Sequence, residues 1–327
     1  MPRYGNDMID TTMPITDLES LEQELGTALA RADSEAVTVV PILRHVLSNE
    51  DNSLFGDEIV ARIRGMVRHI AVQLLDRLEA GENDGVPSEH PAERVASLSD
   101  LLIESEALVR HLHALALETQ LCARLHIRFG SDPVLTPLLQ AQIASSDPDL
   151  AALAMRFLAA QARHGQSQRR MKLPLLELPG DHLHHALLAL RALVEESSSA
   201  AGETAAQGIR RDYEEASTRL GLASLLLARM GADAAEALRI DHAGAALFVS
   251  ALEIGAGLDR DSAVLATHET QAARLALALR SAGMKPALVR EQCLALHPEL
   301  DFPEQFDALG PDRAAALLAS GSSVHGY

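Results

Sequence analysis

From residue 16 onward the apolar residues recur at three- and four-residue spacing, the period of a helix that buries one face. Leu18, Leu21, Leu25 and Leu29 form the first such stripe. Thr16-Asp17-Leu18-Glu19 before it fits a capping box, with Thr16 as the cap and Glu19 reaching back to the free amide. A second helix is predicted from about Ser34 to Leu47, complicated by Pro41. A third runs from Asp57 to about Glu79, where Ile59, Ile63, Met66, Ile70 and Leu74 share a face while Arg62, Arg64 and Arg68 take others. Gly81 to Pro91 reads as a loop by composition. A long helical pattern follows from Glu93 to about Arg128, with a break near Ser105.

Ser131-Asp132-Pro133 and Ser146-Asp147-Pro148 each read as a helix start, with proline in the first turn where its missing amide costs nothing. Short helices in such succession resemble stacked HEAT-like helices, although a fifteen-residue spacing is one helix plus a turn and falls short of the roughly 40–47 residues of that repeat. Leu173 to Gly180 is a connector with two prolines. Asp181 to Glu196 is helical, with Leu183, Leu187, Leu190 and Val194 on one face. Ser197 to Ala206 (SSSAAGETAA) is small and polar, without a large apolar anchor, and so reads as a linker. The expected organisation is a tail at 1–15, a helical domain at 16–196, a linker at 197–206, a second helical domain at 207–319 and a tail at 320–327. Helices of the second domain fall at about 207–230, 232–240, 243–255, 260–266, 269–282, 286–296 and 311–319, with Gly231 and Gly283 as stops. No segment alternates with period two. The predicted fold class is all-α, a multi-helix array or bundle, HEAT-like in its middle part.

Composition narrows the function. Of 327 residues 47% are hydrophobic, enough for a packed core and against disorder throughout. With 28 Lys+Arg against 46 Asp+Glu the formal charge is −18, which disfavours nucleic acid as a partner because such binding draws on cations at phosphates. Aromatics at 3% and the absence of Trp argue against a base-stacking platform. The longest weakly polar run, Ala243 to Gly257, contains Ser250 and Glu253 and is too short for about 30 Å of hydrocarbon. The first fifteen residues lack the apolar stretch of a secretory signal. These features predict a cytoplasmic protein with no membrane partner. Cys122 and Cys293 belong to no CxxC pair and are expected as free thiols.

Candidate chemistry is sparse. Without HExxH, GxSxG or a P-loop, no catalytic residue and no cofactor is expected. In Asp181-His182-Leu183-His184-His185, Asp181 stands at i,i+3 from His184 and i,i+4 from His185, spacings that allow a shared metal ion. The same Asp181 also serves as an ordinary helix-start acid. His111 and His113 are two apart and point in different directions, which suggests packing for at least one of them. His45, with Asn49 at i+4, invites comparison with phosphoacceptor histidines of bundle helices, although Val46 stands where those have a carboxylate. One segment runs against the acidic background: Arg163, His164, Arg169, Arg170 and Lys172 within QARHGQSQRRMKL. Its cations either complement a helix dipole or dock an acidic partner, a phosphorylated domain or a nucleotide.

The run SSDPDLAALAMRFLAAQARHGQSQRRMKLPLLELP resembles a stretch of bacterial proteins of the domain of unknown function 2336. The run LDRDSAVLATHETQAARLALALRSAGM is similar to the helical C-terminal part of those proteins. The resemblance covers residues 120–320. It implies an all-helical fold, and it carries no activity, cofactor or site residue. The functional expectation is a non-enzymatic helical scaffold or regulatory protein that binds a protein partner through residues 163–172. The alternatives are a phosphotransfer protein using His45 and a metal-binding sensor or enzyme at Asp181 to His185.

Overall fold

The computed structural model describes residues 15–48, 58–80, 90–194 and 199–322. Among these residues there are fourteen α-helices and no strand, so the chain is an all-α multi-helix array. The helices are α1 (Ile15–Ser48), α2 (Glu58–Ala80), α3 (Ala92–Ile103), α4 (Glu106–Phe129), α5 (Pro137–Ile143), α6 (Pro148–Arg169), α7 (Gly180–Val194), α8 (Ser199–Asp212), α9 (Arg219–Met230), α10 (Ile240–Ala256), α11 (Arg260–Leu265), α12 (Ala272–Ser281), α13 (Pro286–Leu296) and α14 (Pro311–Ser322). No described helix is long and apolar enough to cross a membrane.

Local chemistry sets most of the boundaries. The break at Ser105 is a cap, its hydroxyl accepting from the Leu108 amide at the start of α4. Asp147 caps α6 by accepting from the amides of Asp149 and Leu150, and Pro148 follows in the first turn. The earlier SDP turn does something else. Asp132 accepts from the amides of Val134 and Leu135 in an exposed turn, and α5 starts only after Thr136, whose hydroxyl accepts from Leu139. The two helices expected over residues 16–47 are one, α1, because Ala30 to Ser34 contains neither glycine nor proline to end it, and Pro41 is accommodated within it. The capping box rests on the Thr16 side chain, which lies outside the described residues, as do the tail at 1–14, most of the loop after α2, residues 195–198 and residues 323–327.

The stretch read as a linker is helical from Ser199 on. Ala205, Ala206 and Ile209 of α8 are buried, and the helix packs against α2 and α7. Gly202 lies against Val194, close enough that an added Cβ would be in van der Waals contact. Small residues here allow close helix packing, which in composition looks the same as a flexible connector. Beyond α8 the helix expected to Met230 stops at Asp212, and a 3-10 turn over Glu215–Ser217 leads to the Thr218 cap of α9.

The apolar core falls into two clusters that interleave along the chain. One joins α2, α3 and the first half of α4 to α7 and α8, with Ile63, Ile70, Leu98, Leu112, Leu187 and Ile209 among its members. The other joins the second half of α4, α5 and α6 to the helices after residue 219, including Leu121, Phe157, Leu226, Phe248, Leu275 and Phe306. Helices α1 and α4 contribute to both. Inside α10 the chain kinks at Gly244, with φ 69° and ψ 172°. That conformation is nearly restricted to glycine, and a Cβ there would lie 2.5 Å from Thr136 Cγ2. Gly244→Ala should therefore lower the unfolding free energy by about 2 kcal/mol or more. Urea denaturation would show this as a reduced midpoint at unchanged slope.

Candidate functional site

Helix α4 is enclosed by α1, α2, α3, α7, α10 and α11, so polar residues in its middle must find partners inside the protein. Glu118 is buried and accepts a bidentate pair from Arg219, with Nη1 to Oε1 at 2.6 Å and Nη2 to Oε2 at 3.2 Å. Arg260 Nη2 reaches Oε2 at 3.0 Å, and its Nη1 donates to Ser250 Oγ at 2.6 Å. Gln161 Oε1 stands 3.4 Å from Arg219 Nη1, while its amide nitrogen donates to Pro133 O at 2.9 Å. Both guanidiniums are themselves nearly buried, with side-chain exposures of 2% and 9%. Burial alone would push the Glu118 carboxyl up, but Arg219 and Arg260 outweigh it and hold the group well below the usual carboxylate range. His164, from α6, borders the same cluster. Burial and the Arg219 charge push its imidazole down to about 3.

Seven residues before Glu118 on α4, His111 Nδ1 lies 2.9 Å from Asp261 Oδ1. The His182 ring stacks on His111 with centroids 4.4 Å apart and planes 20° from parallel. For Asp261, burial works upward, but the hydrogen bond and charge of His111 prevail and hold the carboxyl below its ordinary value. An ionised Asp261 makes His111 Nδ1 the donor. Burial and the neighbouring His111 hold the His182 imidazole down to about 4. Its Nδ1 is buried and has no hydrogen-bond partner. These residues line a cavity of about 230 Å³ together with Glu177, Glu215, Glu253 and Arg260. Burial raises the Glu253 carboxyl. Cys122 and Cys293 are free, and burial pushes each thiol up to about 12, which keeps both protonated at neutral pH.

The residues singled out from sequence are distributed unevenly. Arg163, Arg169, Arg170 and Lys172 are exposed at the end of α6, while His164 is buried against the Glu118 cluster and does not belong to that surface. Asp181 and His184 are exposed and His185 is half-buried. Among the described residues, the set with three ligand atoms within 4.8 Å of one another is His111, His182 and Asp261. The DHLHH segment thus contributes its first histidine, with partners from two other helices. His45 is exposed in the last turn of α1, and Asn49 lies outside the described residues. His111 and His113 are both buried.

Glu118, Arg219, Arg260 and Asp261 carry no motif. The one signal was Glu118 itself, a formal charge following the uncharged stretch Leu112–Leu117. No protein-family model, curated protein or solved structure matches this chain.

Two outcomes follow from the buried charges. Glu118→Gln leaves two guanidiniums buried against a neutral amide and should cost about 3–5 kcal/mol, with most of the loss recovered when Arg219 and Arg260 are also replaced by methionine. A loss near zero in urea denaturation would show that the clamp holds nothing. The second outcome concerns pH. His164 titrates at about 3 when folded and near 6.5 when unfolded, so the unfolded chain takes its proton first. Its contribution is complete above 6.5 and is lost as the pH falls toward 3. His182 acts in the same sense down to about 4, and Glu118 below 4.5. The urea midpoint should be lower at pH 5 than at pH 7, and His164→Gln should reduce that difference.

Proposed function

We propose that this protein is a non-enzymatic helical adaptor or regulatory protein that docks an acidic protein surface on the outer face of α6. The supporting observation is a stripe of open cations. Arg156, Arg163 and Arg170 are seven residues apart, so they share one helix face, and all three are exposed together with Arg169 and Lys172. Among the described residues no carboxylate lies within 4 Å of any of them, whereas Arg31, Arg44, Arg77, Arg229, Arg290 and Arg313 each hold one. Among the same residues Arg68, Arg110 and Arg191 are also exposed without a carboxylate within 4 Å, but each stands apart. On α6 and at its end five such cations stand together, in a chain of charge −18. The helix dipole accounts for Arg169 and Arg170. It does not reach Arg156 or Arg163, because its effect fades beyond the last turn.

The patch stands on fixed backbone. Arg62 Nη1 donates to Gln168 O at 2.5 Å, and the Gln168 amide donates to Lys172 O at 3.3 Å. His69 Nδ1 bonds Leu173 O at 2.7 Å. Met171 turns the chain with φ 53°, and Gly65 on α2 leaves room for it, since a Cβ there would stand 2.6 Å from Met171 O. Charges held on ordered backbone lose less entropy when a partner binds.

The test is recovery of partners from nuclease-treated lysate of the source cells on immobilised protein. Wild type and Arg191→Glu, a reversal at an exposed α7 arginine, should recover the same proteins. The pair Arg163→Glu/Arg170→Glu should lose them more than about tenfold with unchanged helical circular dichroism. Equal recovery by the pair would overturn the reading, and so would partners that are recovered from a parallel untreated lysate and absent from the nuclease-treated one.

A further inference from the structure

The pocket beside the Glu118 cluster carries a feature that the adaptor reading does not use. Two imidazoles and a carboxylate from three helices, α4, α7 and α11, present donor atoms within 4.8 Å of one another. Donors around an ion at about 2.0–2.1 Å stand no more than about 4.2 Å apart, so small side-chain rotations close the set. His182 Nδ1 is buried without a hydrogen-bond partner, as is His185 Nδ1 on the same helix, and a water, a ligand or an ion would satisfy it. His182 is the one whose ring also stacks on His111 and lines the cavity. The cavity wall adds Glu177, Glu215 and Glu253 to Asp261. The one arginine there, Arg260, is engaged by Glu118 and Ser250 and lies 3.7 Å from Glu253, which leaves Glu177, Glu215 and Asp261 without a cation in the wall. The cavity therefore has an excess of negative charge, and the ligand it favours is a cation.

From these observations we propose that His111, His182 and Asp261 bind one divalent first-row transition-metal ion. The donor set of two nitrogens and one oxygen selects the zinc or iron(II) type over magnesium or calcium, which take oxygen ligands. Three protein ligands leave coordination positions open, and the adjoining cavity of about 230 Å³ supplies the space for water or a small ligand to fill them. The Glu118 clamp supports the site. Arg260 ties the first turn of α11 to α4, and the next residue, Asp261, meets His111 two turns earlier on α4. The donors are thus positioned by packed helices and a buried ion cluster before any metal arrives, as a selective site requires.

The experiment uses full-length protein without a histidine tag, stripped with chelator and desalted. It is titrated with Zn²⁺ by calorimetry and with Co²⁺ by visible absorption. The expected result is one equivalent of each, with a cobalt band of a nitrogen- and oxygen-ligated ion. His182→Ala, at the half-buried wall of the cavity, should weaken binding at least ~100-fold with helicity retained. Asp261→Asn should weaken it as well. His184→Ala/His185→Ala, which changes only the neighbouring histidines of the same helix, should bind as wild type does. Absence of stoichiometric binding by folded wild-type protein overturns the site, and so does binding unchanged in His182→Ala. Binding lost in His184→Ala/His185→Ala and kept in His182→Ala overturns it in favour of the surface histidines.

Discussion

The structure depends on how one buried carboxylate is neutralised. Glu118 lies in the middle of α4, the helix that contributes to both apolar clusters. It is satisfied by Arg219 of α9 and Arg260 of α11. Ser250 of α10 accepts from Arg260 and Gln161 of α6 from Arg219, while Arg260 Nε is buried without a partner. Removing two guanidiniums and a carboxylate from water is costly, and their mutual attraction offsets this only when the geometry is good and the remaining donors are bonded. Such a cluster adds little to net stability compared with apolar packing. Its effect is on arrangement, since a shifted α9 or α11 would leave a charge unpaired in the interior.

That arrangement links the interior to the cationic stripe and to the acidic pocket. Helix α6 turns Phe157, Gln161, His164 and Gln168 inward, where Gln161 meets Arg219 and Gln168 receives Arg62 at its carbonyl. The opposite face presents Arg156, Arg163 and Arg170. The inward stripe fixes the rotation of the helix, and so fixes which side the arginines face. Helix α11 works in a similar way, with Arg260 bonded to Glu118 and Asp261 placed beside His111. One buried ion cluster thus orients an exposed cationic stripe and an acidic pocket that share no residue.

Legibility in the sequence followed the range of the interaction. Caps, proline starts and apolar periodicity are local, and the all-α class, the Ser105 break and the Asp147 start of α6 could be read from a few residues each. The exposed cations of residues 163–172 were also legible, because a run of like charge near a helix end stands out in an acidic chain. His164 was misplaced with them. A helix rotates by about 100° per residue, so adjacent Arg163 and His164 point apart, and only the neighbours of α6 show which one faces inward. The linker reading of residues 197–206 failed for a related reason. Alanine and glycine serve equally in a flexible connector and in a close helix contact, and the deciding factor is α2 and α7 lying against them.

By itself, then, the sequence determined the all-α class, the capped and proline-opened helix starts, and the one stretch where positive charge accumulates, because each depends on neighbours within a turn or two. The tertiary structure alone decided which charges meet. Glu118 finds Arg219 101 positions away, and His111 finds Asp261 150 positions away. No periodicity encodes such pairs. They arise when helices pack and buried charges must be satisfied inside, and that requirement selected His182 from its segment and gathered the pocket.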